Sequence, residues 1–217
     1  MESESSAEPR RPYRSPLRQA QARQTRRAIL EAARPLFIQR GYPGTSMGDI
    51  AQAAGVSVKT VEAIFGTKAR LLTAVRDVTI VGDDEAIPVA GREWFQQMLA
   101  EPDPRRQLAR FAELSCQIKH RTAALNEVIR RAVRADPEIG ELWQAVQDQL
   151  MEDQRPVAES LAAKGALREG LDVASAADTL WLLNHPSVYC LAVFERDWPE
   201  KRFTHWLADA FIRQLVR

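Results

Sequence analysis

Apolar side chains recur along this chain at intervals of three and four residues, the period of a helix packed on one side, and no sustained two-residue alternation of the strand type appears. An all-α fold is predicted. In the first periodic segment Ile29, Ala33, Leu36 and Phe37 share a face that ends at Arg40, and Gly41 stands where a helix closes on a left-handed residue. Three short helices follow, over about 47–54, 57–65 and 68–81, separated at Gly55 and Gly66. Longer helices are expected over about 91–100, 104–134, 138–164, 173–195 and 199–216, with boundaries at Pro102 and Pro104, Asp136-Pro137, Gly165 and Gly170, and Trp198-Pro199. Three prolines fall inside predicted helices. An interior proline costs about 3 kcal/mol, so a kink or break is expected at Pro35, while Pro156 and Pro186 would free the carbonyls of Glu152 and Leu182.

The segment from Thr45 to Phe65 carries the sharpest local pattern. Ser46 with Asp49 three residues on matches a capping box, and Ser57 is placed to cap the next helix. Gly55 supplies the positive φ of a short turn. Ile50, Ala53, Ala54, Val56, Val61 and Phe65 would then meet in one small core, the alanines allowing the close crossing of a helix-turn-helix.

Charge divides the chain in the same place. The 217 residues are 45% hydrophobic and 27% charged with a formal net charge of +1, which gives no hint of a polyanionic partner. Residues 10–81, however, hold 13 basic against four acidic side chains, a net of +9, and residues 82–217 hold 17 against 22, a net of −5. Three domains are therefore expected: a flexible basic arm over 1–20, a basic helix-turn-helix domain over 21–81, and an acidic helical bundle over 82–217.

From Arg26 to Leu72 the chain resembles the N-terminal domain of TetR-family transcriptional regulators. The resemblance is carried by Ala32, Ala33, Leu36, Phe37, Gly41, Tyr42, Ser46, Asp49, Ile50, Ala51, Ala54, Gly55, Val56, Ser57, Thr60, Phe65, Lys68, Leu71 and Leu72. It implies a homodimeric regulator that binds a palindromic double-stranded DNA operator, acts as a repressor, and is released by a small apolar or aromatic effector. Ser57, Val58, Lys59 and Thr60 would enter the major groove, with Lys59 on a guanine or a phosphate. Thr45, Ser46 and Lys68 would meet phosphates, and Arg14 and Arg18 on the arm would follow the backbone or a minor groove. The chain departs from the family pattern at Glu62, where Tyr is common. Glu62 points away from DNA, accepts from a cytosine amino group, or weakens binding. With Pro35 it motivates a rival reading, a helical ligand-binding protein with impaired DNA reading.

The C-terminal two thirds offer little reactive chemistry. Only His120, His185 and His205 occur, with no paired Cys or His at metal spacing and no Gly-rich phosphate loop, so no enzyme activity, metal or cofactor is expected. Cys116 and Cys190 read as small buried apolar residues. All five Trp lie here, at 94, 143, 181, 198 and 206. The resemblance implies a pocket in this bundle, for which Trp94, Phe95, Phe111, Ser115, Trp143, Gln147, Met151, Trp181 and Asn184 are the candidate lining. The final helix carries Phe203, Trp206, Leu207, Ala210, Phe211, Gln214 and Leu215 on one broad face. By the same resemblance Leu180, Leu183, Leu191, Phe194, Phe203, Trp206, Ala210 and Phe211 are candidates for a four-helix dimer interface, the alternative being intrachain core, and both uses can coexist. No apolar run approaches the roughly 20 residues that span a bilayer, and the opening lacks the apolar core of a signal peptide, so a cytoplasmic location is expected.

Overall fold

A computed structural model describes residues 16–81 and 89–217, and among them every regular element is helical. The helices are α1 (Pro16–Arg40), α2 (Met47–Ala54), α3 (Val58–Phe65), α4 (Lys68–Val81), α5 (Glu93–Leu99), α6 (Pro104–Ala132), α7 (Pro137–Ala163), α8 (Val173–Leu183), α9 (Pro186–Tyr189) and α10 (Glu200–Leu215). Residues 16–20, read from composition as part of an arm, form the first turn and a half of α1. Arg14 lies outside the described residues.

Several helix starts reuse one device. Asp103 caps α6 ahead of Pro104, Asp136 caps α7 ahead of Pro137, and His185 caps α9 ahead of Pro186, each accepting from a backbone amide of the first turn. Proline is favoured at that position because its missing N–H would have had no intrahelical partner. The third example corrects the single helix expected over 173–195. Pro186 cannot donate to Leu182, so α8 ends at Leu183 and a new helix begins, with the His185 amide taking up the Leu182 carbonyl at 3.3 Å. A π-turn over Cys190–Glu195 follows α9 directly. Pro35 and Pro156, by contrast, sit inside uninterrupted α1 and α7. Pro35 is exposed, where water can serve the carbonyl it leaves free.

Packing produces two cores. One joins Ile29, Ala33 and Phe37 of α1 to Ile50, Val61, Phe65, Leu71 and Leu72, and continues into Leu125, Ile129, Ile139 and Val146 at the upper ends of α6 and α7. The head is thus welded to the bundle through shared apolar burial. The second core gathers Phe95, Leu108, Phe111, Val157, Leu161, Leu180, Phe203, Leu207 and Phe211. Here α10 runs along α6, and α8 along α7. Of the expected head core, Ala53 falls on the exposed face of α2 and contributes nothing to burial.

Candidate nucleic-acid interface and ligand cavity

The two helices at the tip of the molecule are held by local hydrogen bonds that the sequence pattern anticipates. Ser46 and Asp49 form the full capping box of α2, with the Asp49 amide donating to Ser46 Oγ at 3.1 Å and the Ser46 amide to Asp49 Oδ2 at 3.0 Å. The Ser46 hydroxyl, which also donates to Asp49 Oδ2, and then the Ser46 amide hold the Asp49 carboxyl below its ordinary range. Gly55 closes α2 at φ 67°, and Ser57 opens α3 by accepting from the Thr60 amide at 3.1 Å. This leaves Ser57, Val58 and Lys59 exposed and side by side at the amino end of α3, with Thr60 partly exposed. The Ser57 and Thr60 hydroxyls lie 2.8 Å apart, so one hydroxyl hydrogen serves the pair and the other is free for a phosphate or base edge. Glu62 is exposed on the same helix, and Arg18 is exposed on α1.

Three residues expected at the DNA backbone are otherwise engaged. Thr45 is 1% exposed, and its hydroxyl donates to the carbonyls of Leu36 and Gly41 at 3.1 and 2.8 Å, so its side chain cannot reach a phosphate. Lys68 points inward: its ammonium donates to the carbonyls of Tyr42 and Thr45, both at 2.9 Å, and lies 4.1 Å from the centre of the Tyr42 ring. The Ser46 hydroxyl donates to Asp49, which leaves the open amides of the α2 start as the group facing outward there. The Tyr42 hydroxyl, in turn, donates to Asp136 Oδ2 at 2.7 Å, tying the α1–α2 turn to the cap of α7. Burial first, and then Asp136, raises the Tyr42 pKa.

Below the head lies a cavity of about 640 Å³ between α4, α5, α6, α7 and the turn from α8 to α9. Of the candidate lining residues, Trp94, Phe95, Phe111, Ser115 and Asn184 border this cavity. Trp143, Gln147, Met151 and Trp181 do not. Trp143 and Trp181 instead flank His185, with ring centres 6.3 and 5.1 Å away, Gln147 Oε1 sits 2.9 Å from His185 Nε2, and Met151 packs on the second core.

Of the polar wall of the cavity, Ser115 and Asn184 belong to the sequence-based set, whereas Lys119, Thr122 and Asn126 do not. Ser115, Lys119, Thr122 and Asn126 all line it from α6. Their spacing of four, three and four residues was the available signal, a polar stripe on one helical face. Thr73, Arg76, Asp77 and Ile80 line it from α4, a helix assigned by pattern to the head alone. Arg76 Nε donates to Asn126 Oδ1 at 3.2 Å, and its Nη1 lies 3.5 Å from Asp77. Burial pushes Asp153 up to about 6 against the pull of Gln149 and Arg76, and pushes Lys119 down to about 8.

The proposed interface residues divide by exposure. Leu180, Phe203 and Phe211 are 0% exposed within one chain, Phe203 against Tyr189 and Phe211 stacked on Phe111 at 5.5 Å, so they are core and unavailable to a partner. Leu183 and Ala210 are partly buried. Leu191, Phe194 and Trp206 are 53%, 54% and 37% exposed, and Leu182, absent from the sequence-based set, is 61% exposed.

A helix-turn-helix head with a free recognition face, welded to a helical body that encloses a cavity, defines a DNA-binding regulator. Residues 29–75 match the family model of bacterial regulatory proteins, tetR family. The chain is 29% identical over 155 residues to the HTH-type transcriptional regulator TtgR of Pseudomonas putida, covering 69% of each. Among solved structures, NalD, the secondary repressor of the MexAB-OprM multidrug efflux pump in Pseudomonas aeruginosa, superposes with a TM-score of 0.66 at 23% identity, covering 90% of this chain and 98% of that one. A SmeT–triclosan complex superposes with a TM-score of 0.68 at 20% identity, covering 89% and 92%. Residues 29–75 are thus a helix-turn-helix domain of the tetR type, and the chain as a whole is similar in sequence and fold to TetR-type transcriptional regulators. Among the described residues no helix is long and apolar enough to cross a membrane.

Proposed function

We propose that this regulator is a homodimeric repressor that holds a palindromic operator and is released by a small apolar or aromatic effector bound in the body. The observation that carries this is the double use of α4. Leu71, Leu72 and Val75 are buried in the head core, while Thr73, Arg76 and Asp77 face the cavity. A ligand that fills the cavity meets the helix that orients the head, and close-packed interiors transmit such a displacement rather than absorb it. Ligand then favours a spacing of the two heads that no longer matches successive major grooves, which for two half-sites lie roughly 34–36 Å apart. NalD is a repressor, and SmeT is known in complex with triclosan; both share this fold, which supports the reading.

Ser57, Val58, Lys59 and Thr60 are the residues proposed to read the groove, supported by their exposure at the start of α3. Leu182, Leu191, Phe194 and Trp206 supply exposed apolar surface for dimerisation. Selecting bound fragments from random duplex DNA tests the reading. A two-fold symmetric site is expected, and its affinity should fall steeply with salt. Recovery of no sequence preference would defeat it.

A further inference from the structure

Six charged side chains line the cavity: Arg26, Arg70, Arg76 and Lys119 against Asp77 and Asp153. The lining is cationic by two. Both carboxylates face Arg76, which lies 3.5 Å from Asp77 and interacts electrostatically with Asp153. Of the other three cations, Arg70 is exposed and Arg26 partly exposed, and Lys119 is the buried one. It is 5% exposed, and its ammonium donates to Asn184 Oδ1, which is an amide and carries no charge. Asn184 donates onward to Gln154 Oε1 at 3.2 Å, and Gln154 to the Leu150 carbonyl at 2.8 Å, so the chain of bonds ends on backbone without meeting an anion. Among the described residues no carboxylate lies within ion-pair distance of Lys119.

An ammonium has three N–H donors, and a buried cation without a counter-charge is costly. Trp94, Phe95, Phe111 and Leu114 give the same cavity an apolar wall. We infer that the cavity binds an amphipathic carboxylic acid, its carboxylate seated on Lys119 and its hydrocarbon or aromatic body against these four side chains. The inference rests on the cavity being the effector site proposed above. A carboxylate supplies the missing charge and accepts the unused N–H donors, whereas a neutral or cationic ligand of the same shape leaves the positive excess uncompensated.

The test uses the full-length protein and two matched pairs, 2-naphthoate with 2-naphthamide and decanoate with decanamide, titrated by calorimetry and by tryptophan fluorescence. Each acid should bind at least about tenfold tighter than its amide. Lys119→Met should lower acid affinity to that of the amide and leave amide binding unchanged. Asn184→Asp, which places an internal carboxylate beside Lys119, should also abolish the preference. Equal binding of acids and amides by the unaltered protein, no binding of either acid, or a preference that survives both substitutions overturns the inference. Acid binding that depends on Lys119 but leaves affinity for the selected operator unchanged upholds the inference and defeats effector release instead.

Discussion

Arg76 on α4 donates through Nε to Asn126 Oδ1 on α6 at 3.2 Å, so a side-chain hydrogen bond joins the helix packed into the head core to the wall of the cavity. Both side chains are largely out of water, Arg76 at 13% and Asn126 at 5% exposure. Asn126→Leu keeps the volume but deprives a buried guanidinium of an acceptor. The expected cost is about 1–3 kcal/mol of stability, read from urea denaturation. The same variant should show a smaller ligand-induced loss of operator affinity, because the α4–α6 joint then has one fewer directional contact. An unchanged denaturation midpoint and an unchanged ligand response would together refute the coupling.

Thr45 and Lys59 should separate folding from reading. Thr45→Val removes a buried hydroxyl bonded to two carbonyls and should cost roughly 1–2 kcal/mol, with loss of DNA binding only in proportion to unfolding. Lys59→Ala touches no internal partner and should leave the denaturation curve in place. It should instead weaken operator binding by about 1–3 kcal/mol and relax preference at one position in each half-site. The check is a gel-shift series against single-base operator variants. A uniform loss across all variants would make Lys59 a phosphate contact.

How much of this was legible depends on the range of the interactions. The α2–α3 unit was readable because Ser46 with Asp49, Gly55, and Ser57 with Thr60 act within three residues of one another. Thr45 and Lys68 were misplaced because a threonine or lysine near a helix start has the same composition whether it faces a phosphate or a carbonyl. Only the fold brings the Leu36 and Tyr42 carbonyls to them. Trp143 and Trp181 satisfied an aromatic criterion for the pocket yet surround His185, since periodicity ranks faces of a helix without saying which helix lies opposite. The double role of α4 was hidden for the same reason.

Stability should depend on pH through Lys119. Burial lowers its folded pKa to about 8 from the ordinary 10.5, so between those values the unfolded chain binds the extra proton and stability rises with pH. Lys119→Met should remove that rise and leave the protein about 2–3 kcal/mol more stable at pH 7. The comparison is the difference between the two denaturation series. Tyr42 and Tyr189, whose pKa values burial raises, cancel in it. A parallel pair of curves from pH 7 to 11 would remove the uncompensated cation, and with it the physical ground for an acid ligand.

The apolar surface of α8, the π-turn and α10 should behave as two groups. Leu182 and Leu191 are mostly exposed, so Leu182→Glu with Leu191→Glu should alter folding by no more than about 0.5 kcal/mol per site. The pair should nevertheless reduce the sedimenting species from a dimer to a 24.4 kDa monomer and lower operator affinity by about a hundredfold or more, because each half-site is then bound independently. Phe211→Ala should act in the opposite sense. Phe211 is fully buried against Phe111, so its truncation should cost about 3–5 kcal/mol, and any loss of dimer should follow unfolding rather than precede it. Sedimentation of the Leu182, Leu191 variant as an intact dimer would move the interface away from this surface altogether, and with it the geometry by which two heads are set on one operator.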